Sequence, residues 1–170
     1  MKKFVALLLI CVTALSFTCC KPLTLPEQMP EDFTFYVQWG AFGYRAYSSE
    51  TGRLIKTLDA SDPSKYMTTY YMTNADLKKV YGMIREMGIE NYPEVIPQGD
   101  LKVSVPYFTY TITATVNGKT YTVTAKQATG YDAGKTIEAK KFLSTVKSIA
   151  NILESSSAWK DLPEDENMYD

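Results

Sequence analysis

The sequence contains no histidine, and its three cysteines all lie within the first 20 residues. The lack of histidine excludes Ser-His-Asp and Cys-His catalysis in their usual forms, and most zinc sites with them. A domain that follows residue 20 has no cysteine with which to form a disulfide. The net charge is −1, so the chain also lacks the excess of basic residues that is typical of a nucleic-acid-binding protein. What the chain does contain, 45% hydrophobic and 22% charged residues over 170 positions, is typical of one globular domain.

The first 20 residues have the pattern of an export signal. Lys2 and Lys3 precede about a dozen apolar residues, a run shorter than the roughly 20 that span a membrane. The run ends in LSFTCC, which resembles the lipobox of bacterial lipoproteins. The resemblance implies cleavage before a cysteine that then carries lipid. Cys20 is favoured, because the small Cys19 would then precede the cut, and Cys19 is the alternative. An ordinary secretory signal or a residual membrane helix is the competing interpretation.

The resemblance implies an exported lipoprotein that is anchored in a membrane and faces the periplasm or the cell surface. Cleavage would remove Lys2 and Lys3 and leave a net charge of −3, so the lipid rather than electrostatic attraction would hold the chain to a membrane. The residues just after Cys20 are not acidic, which slightly favours the periplasmic side if the cell has two membranes. The predicted organisation is a signal peptide at 1–19, a lipidated cysteine and proline-rich tether at 20–31, one domain at 32–162, and an acidic disordered tail at 163–170.

Hydrophobic periodicity predicts the secondary structure. Alternation and turn residues predict four strands over residues 33–39, 42–48, 53–58 and 65–72. Thr73 and Asp76 have the spacing of a helix cap, apolar residues follow at steps of three and four, and Gly88 is suited to end that helix. A second amphipathic helix is predicted over 136–154, after which Trp159 and Leu162 are expected to fold back onto the core.

The residues between these helices predict a β-hairpin with a defined register. Asn117-Gly118 is the preferred centre of a type I′ turn, which places Val116 opposite Lys119. Ile112 then faces Val123, and threonines face threonines on the other side. The element order of strands, helix, hairpin and helix predicts an α+β domain: an antiparallel sheet of about five to six strands with two amphipathic helices on one face.

Two patterns hint at chemistry without completing a motif. Residues 130–136 (GYDAGKT) follow a strand and precede a helix, but the glycine spacing of a phosphate-binding P-loop is missing, so no nucleotide is expected. The carboxylate pairs Asp59 with Asp62, and Glu90 with Glu94, could flank a glycosidic bond or hold calcium, although solvated loop charges explain them more simply. No cofactor and no metal are predicted.

Aromatic residues around Gly40 and Gly43 are the candidate ligand contacts, while packing in the core is the simpler explanation for them. They are Trp39, Phe42, Tyr44 and Tyr47. The leading hypothesis is therefore a lipid-anchored, non-enzymatic binding module whose partner is a protein or a glycan. The alternatives are an inhibitor of a secreted hydrolase and a carboxylate-dependent glycan hydrolase. The mature chain resembles no characterised family.

Overall fold

The computed structural model describes residues 24–96, 105–128 and 136–164. These residues form a six-stranded antiparallel sheet of order β4-β3-β2-β1-β5-β6 with two main helices, so the predicted α+β fold is confirmed. The strands are β1 (Thr34–Trp39), β2 (Arg45–Ser48), β3 (Arg53–Ile55), β4 (Met67–Thr69), β5 (Phe108–Val116) and β6 (Lys119–Ala128). The helices are α1 (Asn74–Met87), α2 (Ile137–Glu154) and the short α3 (Ser157–Lys160).

The hairpin of β5 and β6 has the predicted register. Asn117 and Gly118 have φ values of 51° and 71°, the left-handed pair that a type I′ turn requires. Val116 pairs with Lys119 and Ile112 pairs with Val123, which places the apolar residues on the core face. On the opposite face the hydroxyl groups of three threonine pairs lie 3.0–3.2 Å apart, in the pairs Thr111–Thr124, Thr113–Thr122 and Thr115–Thr120.

Both long helices begin and end at chemically suited residues and pack on the core face of the sheet. Thr73 Oγ1 accepts a hydrogen bond from the Asp76 amide at 3.1 Å, and Gly88 ends α1 in the left-handed conformation. Thr136 caps α2 in the same way through the Ala139 amide. Helix α2 packs on β1, on β5 and on α1, and the apolar faces of both helices join the sheet in one core. Its least exposed members include Val37, Val80, Ile84, Ile112, Val123, Phe142 and Ile149.

Three strands are shorter than their patterns predicted. The strand predicted over 42–48 starts only at Arg45, because Phe42 and Gly43 have positive φ values and form a turn. The strand predicted over 53–58 ends at Ile55. The strand predicted over 65–72 is reduced to β4, because a 3-10 turn at Pro63–Tyr66, capped by Asp62, precedes it. Residues 130–135 of the P-loop-like stretch lie outside the described residues.

Both ends of the described chain pack closely on the domain. Within the predicted tether, Leu25 is only 5% exposed and belongs to the core, and Tyr81 donates a 2.6 Å hydrogen bond to the Pro26 carbonyl. At the other end Trp159 and Leu162 are buried, as expected. Residues 1–23, with the predicted signal and both candidate lipidation cysteines, lie outside the described part of the chain, as do residues 165–170.

Candidate functional site

An open cleft of about 370 Å³ lies at the end of the sheet where β1 and α2 end and β2 and β5 begin. Its volume falls in the range of small-ligand sites, roughly 300–1,000 Å³. The lining combines aromatic rings, charged groups of both signs and small residues: Trp39, Gly40, Ala41, Tyr44, Arg45, Thr57, Asp59, Phe108, Tyr110, Lys147, Ala150, Asn151 and Glu154.

One wall of the cleft is the turn that joins β1 to β2. Phe42 has a φ of 53°, which is uncommon for a bulky side chain, and its amide donates a 2.7 Å hydrogen bond to the Tyr107 carbonyl. Its ring packs edge-on against Tyr107 at a centroid distance of 4.9 Å and beside Tyr44 at 5.3 Å. Contacts to the start of β5 therefore hold this turn in its unusual conformation.

The glycines of this turn are required by close packing as well as by their backbone angles. Gly43 has a φ of 70°, and a Cβ there would lie 2.7 Å from Nε2 of Gln38. That same amide donates a 2.7 Å hydrogen bond to the Gly43 carbonyl. Any larger residue would have to displace the Gln38 side chain and adopt a disfavoured backbone conformation.

The floor of the cleft is fixed by one carboxylate. Glu154 Oε1, at the end of α2, accepts a 2.8 Å hydrogen bond from the Trp39 indole and lies 3.7 Å from a guanidinium nitrogen of Arg45. The Glu154 and Arg45 side chains are 32% and 31% exposed, so they remain accessible from the cleft. A group on the last turn of the helix thus orients both an aromatic and a cationic group on the sheet.

A second tryptophan, Trp159, packs against the floor residue Trp39. Trp159 stacks on Trp39 with ring centroids 5.7 Å apart and an interplanar angle of 28°. Arg45 and Lys56 both lie near the Trp159 ring, at 6.0 and 5.7 Å from its centroid. Lys56 also donates a 3.3 Å hydrogen bond to the Leu162 carbonyl, which fastens the chain after α3.

The structure brings two of the four candidate aromatics into the cleft lining. Trp39 and Tyr44 line it, and Phe42 packs beside Tyr44. Tyr47 is 1% exposed and not among the cleft residues; it packs in the core against Phe35 and donates a hydrogen bond to the Tyr70 carbonyl. Burial raises the Tyr47 pKa from 10.0 to about 12. The core explanation therefore applies fully to Tyr47.

The carboxylate pairs suggested by the sequence have other surroundings. Asp59 lines the cleft, but Asp62 caps the 3-10 turn, where its carboxylate accepts hydrogen bonds from the Ser64 amide and hydroxyl. Glu90 accepts a 3.1 Å hydrogen bond from the Leu25 amide. The carboxylate that does join Asp59 in the cleft is Glu154, which no local motif connects with it.

Several cleft residues were not predicted from the sequence. Phe108 and Tyr110 come from β5, and Lys147 and Asn151 come from α2. The sequence does place these residues toward the ends of a predicted strand and a predicted helix. That position identifies them as cleft residues only once the strand order is known. Within residues 24–96, 105–128 and 136–164, no group of three or more Cys, Asp or Glu side chains is placed to hold a metal ion.

The chain matches no protein-family model, and it has no significant match among curated proteins. Of the helices that the structure describes, none combines the length and the apolar character needed to cross a membrane.

Proposed function

We propose that this protein is a lipid-anchored lipoprotein of the bacterial envelope whose domain binds a glycan in the cleft beside Gly40. The lipobox-like sequence at the end of the export signal supports the anchor. The observation that carries the binding role is the cleft itself, because its floor is built into the core and its walls combine aromatic and hydrogen-bonding groups.

The lining favours a carbohydrate over a highly charged ligand. Sugar rings present apolar C–H faces that pack on aromatic rings, and the half-buried Tyr44 and Phe108 offer such surface here. The planar groups of Arg45 and Asn151 can hydrogen-bond neighbouring hydroxyls. Cations and carboxylates occur together in the cleft, so neither strong anions nor strong cations are selected by charge.

The size of the cleft also favours a small ligand over a folded protein. A stable protein–protein interface buries about 800 Å² on each partner. A concave site of about 370 Å³ suits one or two sugar units or a comparable group. A protein partner could place a single side chain in this space, which makes a protein ligand the competing outcome of the binding test.

Calorimetric titration of the lipoprotein in detergent with soluble peptidoglycan fragments tests the proposal. We expect saturable binding that Tyr44→Ala weakens at least tenfold, because the substitution removes an aromatic surface of the wall. Tyr71→Ala is the matched control, since Tyr71 is 68% exposed and lies outside the cleft lining. Equal binding by both variants, or no binding by the wild-type protein, would contradict the proposed site.

A second candidate function is glycan hydrolysis, which the presence of Asp59 and Glu154 in one cleft favours. Glycosidases use two carboxylates, one as acid and one as base or nucleophile. Incubation of the same fragments with wild-type protein and with Asp59→Asn separates the two functions. Cleavage products that depend on Asp59 would establish the enzyme, whereas binding without any product supports the binding module.

A further inference from the structure

We infer that the surface around Leu25 faces the membrane and that the cleft opens at the opposite end of α2, away from the bilayer. The inference rests on the lipid anchor of the proposed function. It adds a membrane-facing surface and a fixed direction for ligand access, which a long flexible tether would not provide.

The first step is that the chain is docked on the domain almost as soon as it leaves the predicted lipid. Leu25 is 5% exposed, and its amide donates a 3.1 Å hydrogen bond to Glu90. The next residue, Pro26, accepts the 2.6 Å hydrogen bond from the Tyr81 hydroxyl. Leu25 comes five positions after Cys20, and an extended chain of five residues reaches about 18 Å at most. The docked point therefore lies within that distance of the lipidated residue.

The second step is the distance along α2 between the Leu25 groove and the cleft. Lys141, in the first half of this helix, lines the same groove as Leu25. Glu154, at the other end, holds Trp39 on the floor of the cleft. A rise of 1.5 Å per residue places these two helix positions about 20 Å apart. The attachment point and the ligand cleft thus lie at opposite ends of one rigid element.

The third step concerns charge. The groove around Leu25 is lined by the cations Arg85 and Lys141 together with the carboxylates Glu86 and Glu90. Because both signs are present, this surface has no strong attraction to anionic lipids. Its orientation toward the membrane comes from the short connection to the lipid and from the docked segment, so it should persist at high salt.

Energy transfer from labels on the lipoprotein to an acceptor in the headgroups of phosphatidylcholine vesicles measures this orientation. Apart from the candidate lipidation cysteines, the chain has only Cys11, which lies inside the predicted signal, so a single introduced cysteine can be labelled. If Cys19 is the lipidated residue, Cys20 is replaced by alanine so that it does not take up the label. Glu86→Cys places a label beside the Leu25 groove, and Leu58→Cys places one between two cleft residues. We expect markedly stronger transfer from the first label, because the Leu25 groove lies at the end of α2 that faces the membrane in this orientation.

Leu25→Asp should abolish most of this difference, because a buried carboxylate would release the segment and allow the domain to rotate. Glu27→Ala, an exposed substitution in the same segment, is the matched control and should preserve the difference. Equal transfer from both labels on wild-type lipoprotein overturns the inference, even if the Leu25 variant fails to fold. A mass spectrum without lipid on the N-terminal residue would instead refute the anchor, and the membrane-facing surface with it.

Discussion

The hydrogen bond between Glu154 and the Trp39 indole should stabilise the whole domain, and Glu154→Ala tests this. Hydrogen bonds to charged groups contribute about 1.5–3 kcal/mol. The lower half of that range applies here, since the Glu154 side chain is 32% exposed. Trp39 is 4% exposed, so its indole N–H cannot easily find water as a replacement partner. The 3.7 Å pair with Arg45 adds less than about 1 kcal/mol. We expect a loss of about 2 kcal/mol in the free energy of unfolding.

Urea unfolding followed by circular dichroism measures this loss. With a denaturant slope of about 2 kcal/mol/M, the midpoint should fall by about 1 M. Glu154→Gln keeps an acceptor oxygen at the same distance along the side chain, so its loss should stay below about 1 kcal/mol. Glu86→Ala, an exposed glutamate on α1, is the control and should change stability by less than about 0.5 kcal/mol.

A double-mutant cycle isolates the bond from the other effects of each substitution. Trp39→Phe removes the indole N–H, so in that background Glu154→Ala should cost about 1–1.5 kcal/mol less than in the wild-type chain. A coupling energy below about 0.3 kcal/mol would refute the reasoning, because additivity would show that the two side chains act independently. The cleft floor would then lack the fixed geometry that the binding proposal requires.

Two further predictions concern the hairpin and the core. The Asp32 carboxylate accepts hydrogen bonds from the Asn117 and Gly118 amides at 3.0 and 2.6 Å, so Asp32→Ala should lower thermal stability by about 1 kcal/mol, and an unchanged melting temperature would contradict this. The Tyr47 pKa of about 12 exceeds the unfolded value of 10.0, so the unfolded state loses its proton first as the pH rises. The resulting stabilisation is complete below pH 10 and declines by up to about 2–3 kcal/mol toward pH 12. Tyr47→Phe should therefore reduce the fall in the free energy of unfolding between pH 10 and pH 12. An identical fall in both proteins would show that Tyr47 does not cause it.

The fold could be predicted to a large extent because its strongest signals are local. In the hairpin, the Asn117-Gly118 turn and the sorting of apolar and threonine residues specify one register independently of each other. The α1 cap at Thr73 and the end at Gly88 are similarly local. The strand bounds beside the cleft could not be read in this way, because the positive φ of Phe42 depends on its hydrogen bond to Tyr107, 65 residues further along the chain.

The candidate site was predictable only in part, for a related reason. The aromatic residues near Gly40 are adjacent in sequence, so they could be singled out as a group. Whether each one faces the cleft depends on pairing: Tyr47 lies opposite Val37 in the sheet and points into the core. Glu154 lies 115 residues from its partner Trp39, and that contact exists only because α2 crosses β1. Long-range packing, which no single-sequence pattern encodes, therefore completes the cleft.

The structure separates the cleft into a floor and a wall with different physical roles. The floor residues Trp39 and Glu154 belong to the packed core and the helix end, so substituting either one should reduce stability and binding together. The half-buried Tyr44 and the exposed Asn151 line the wall without a described hydrogen bond to the floor, so their loss should affect binding far more than stability. A preorganised floor lowers the ordering cost of binding, because few side chains must be fixed when the ligand arrives. An incidental surface cleft has no reason to show this division. Substitutions in the floor that reduce both stability and binding, together with substitutions in the wall that reduce binding alone, would therefore indicate a genuine binding site.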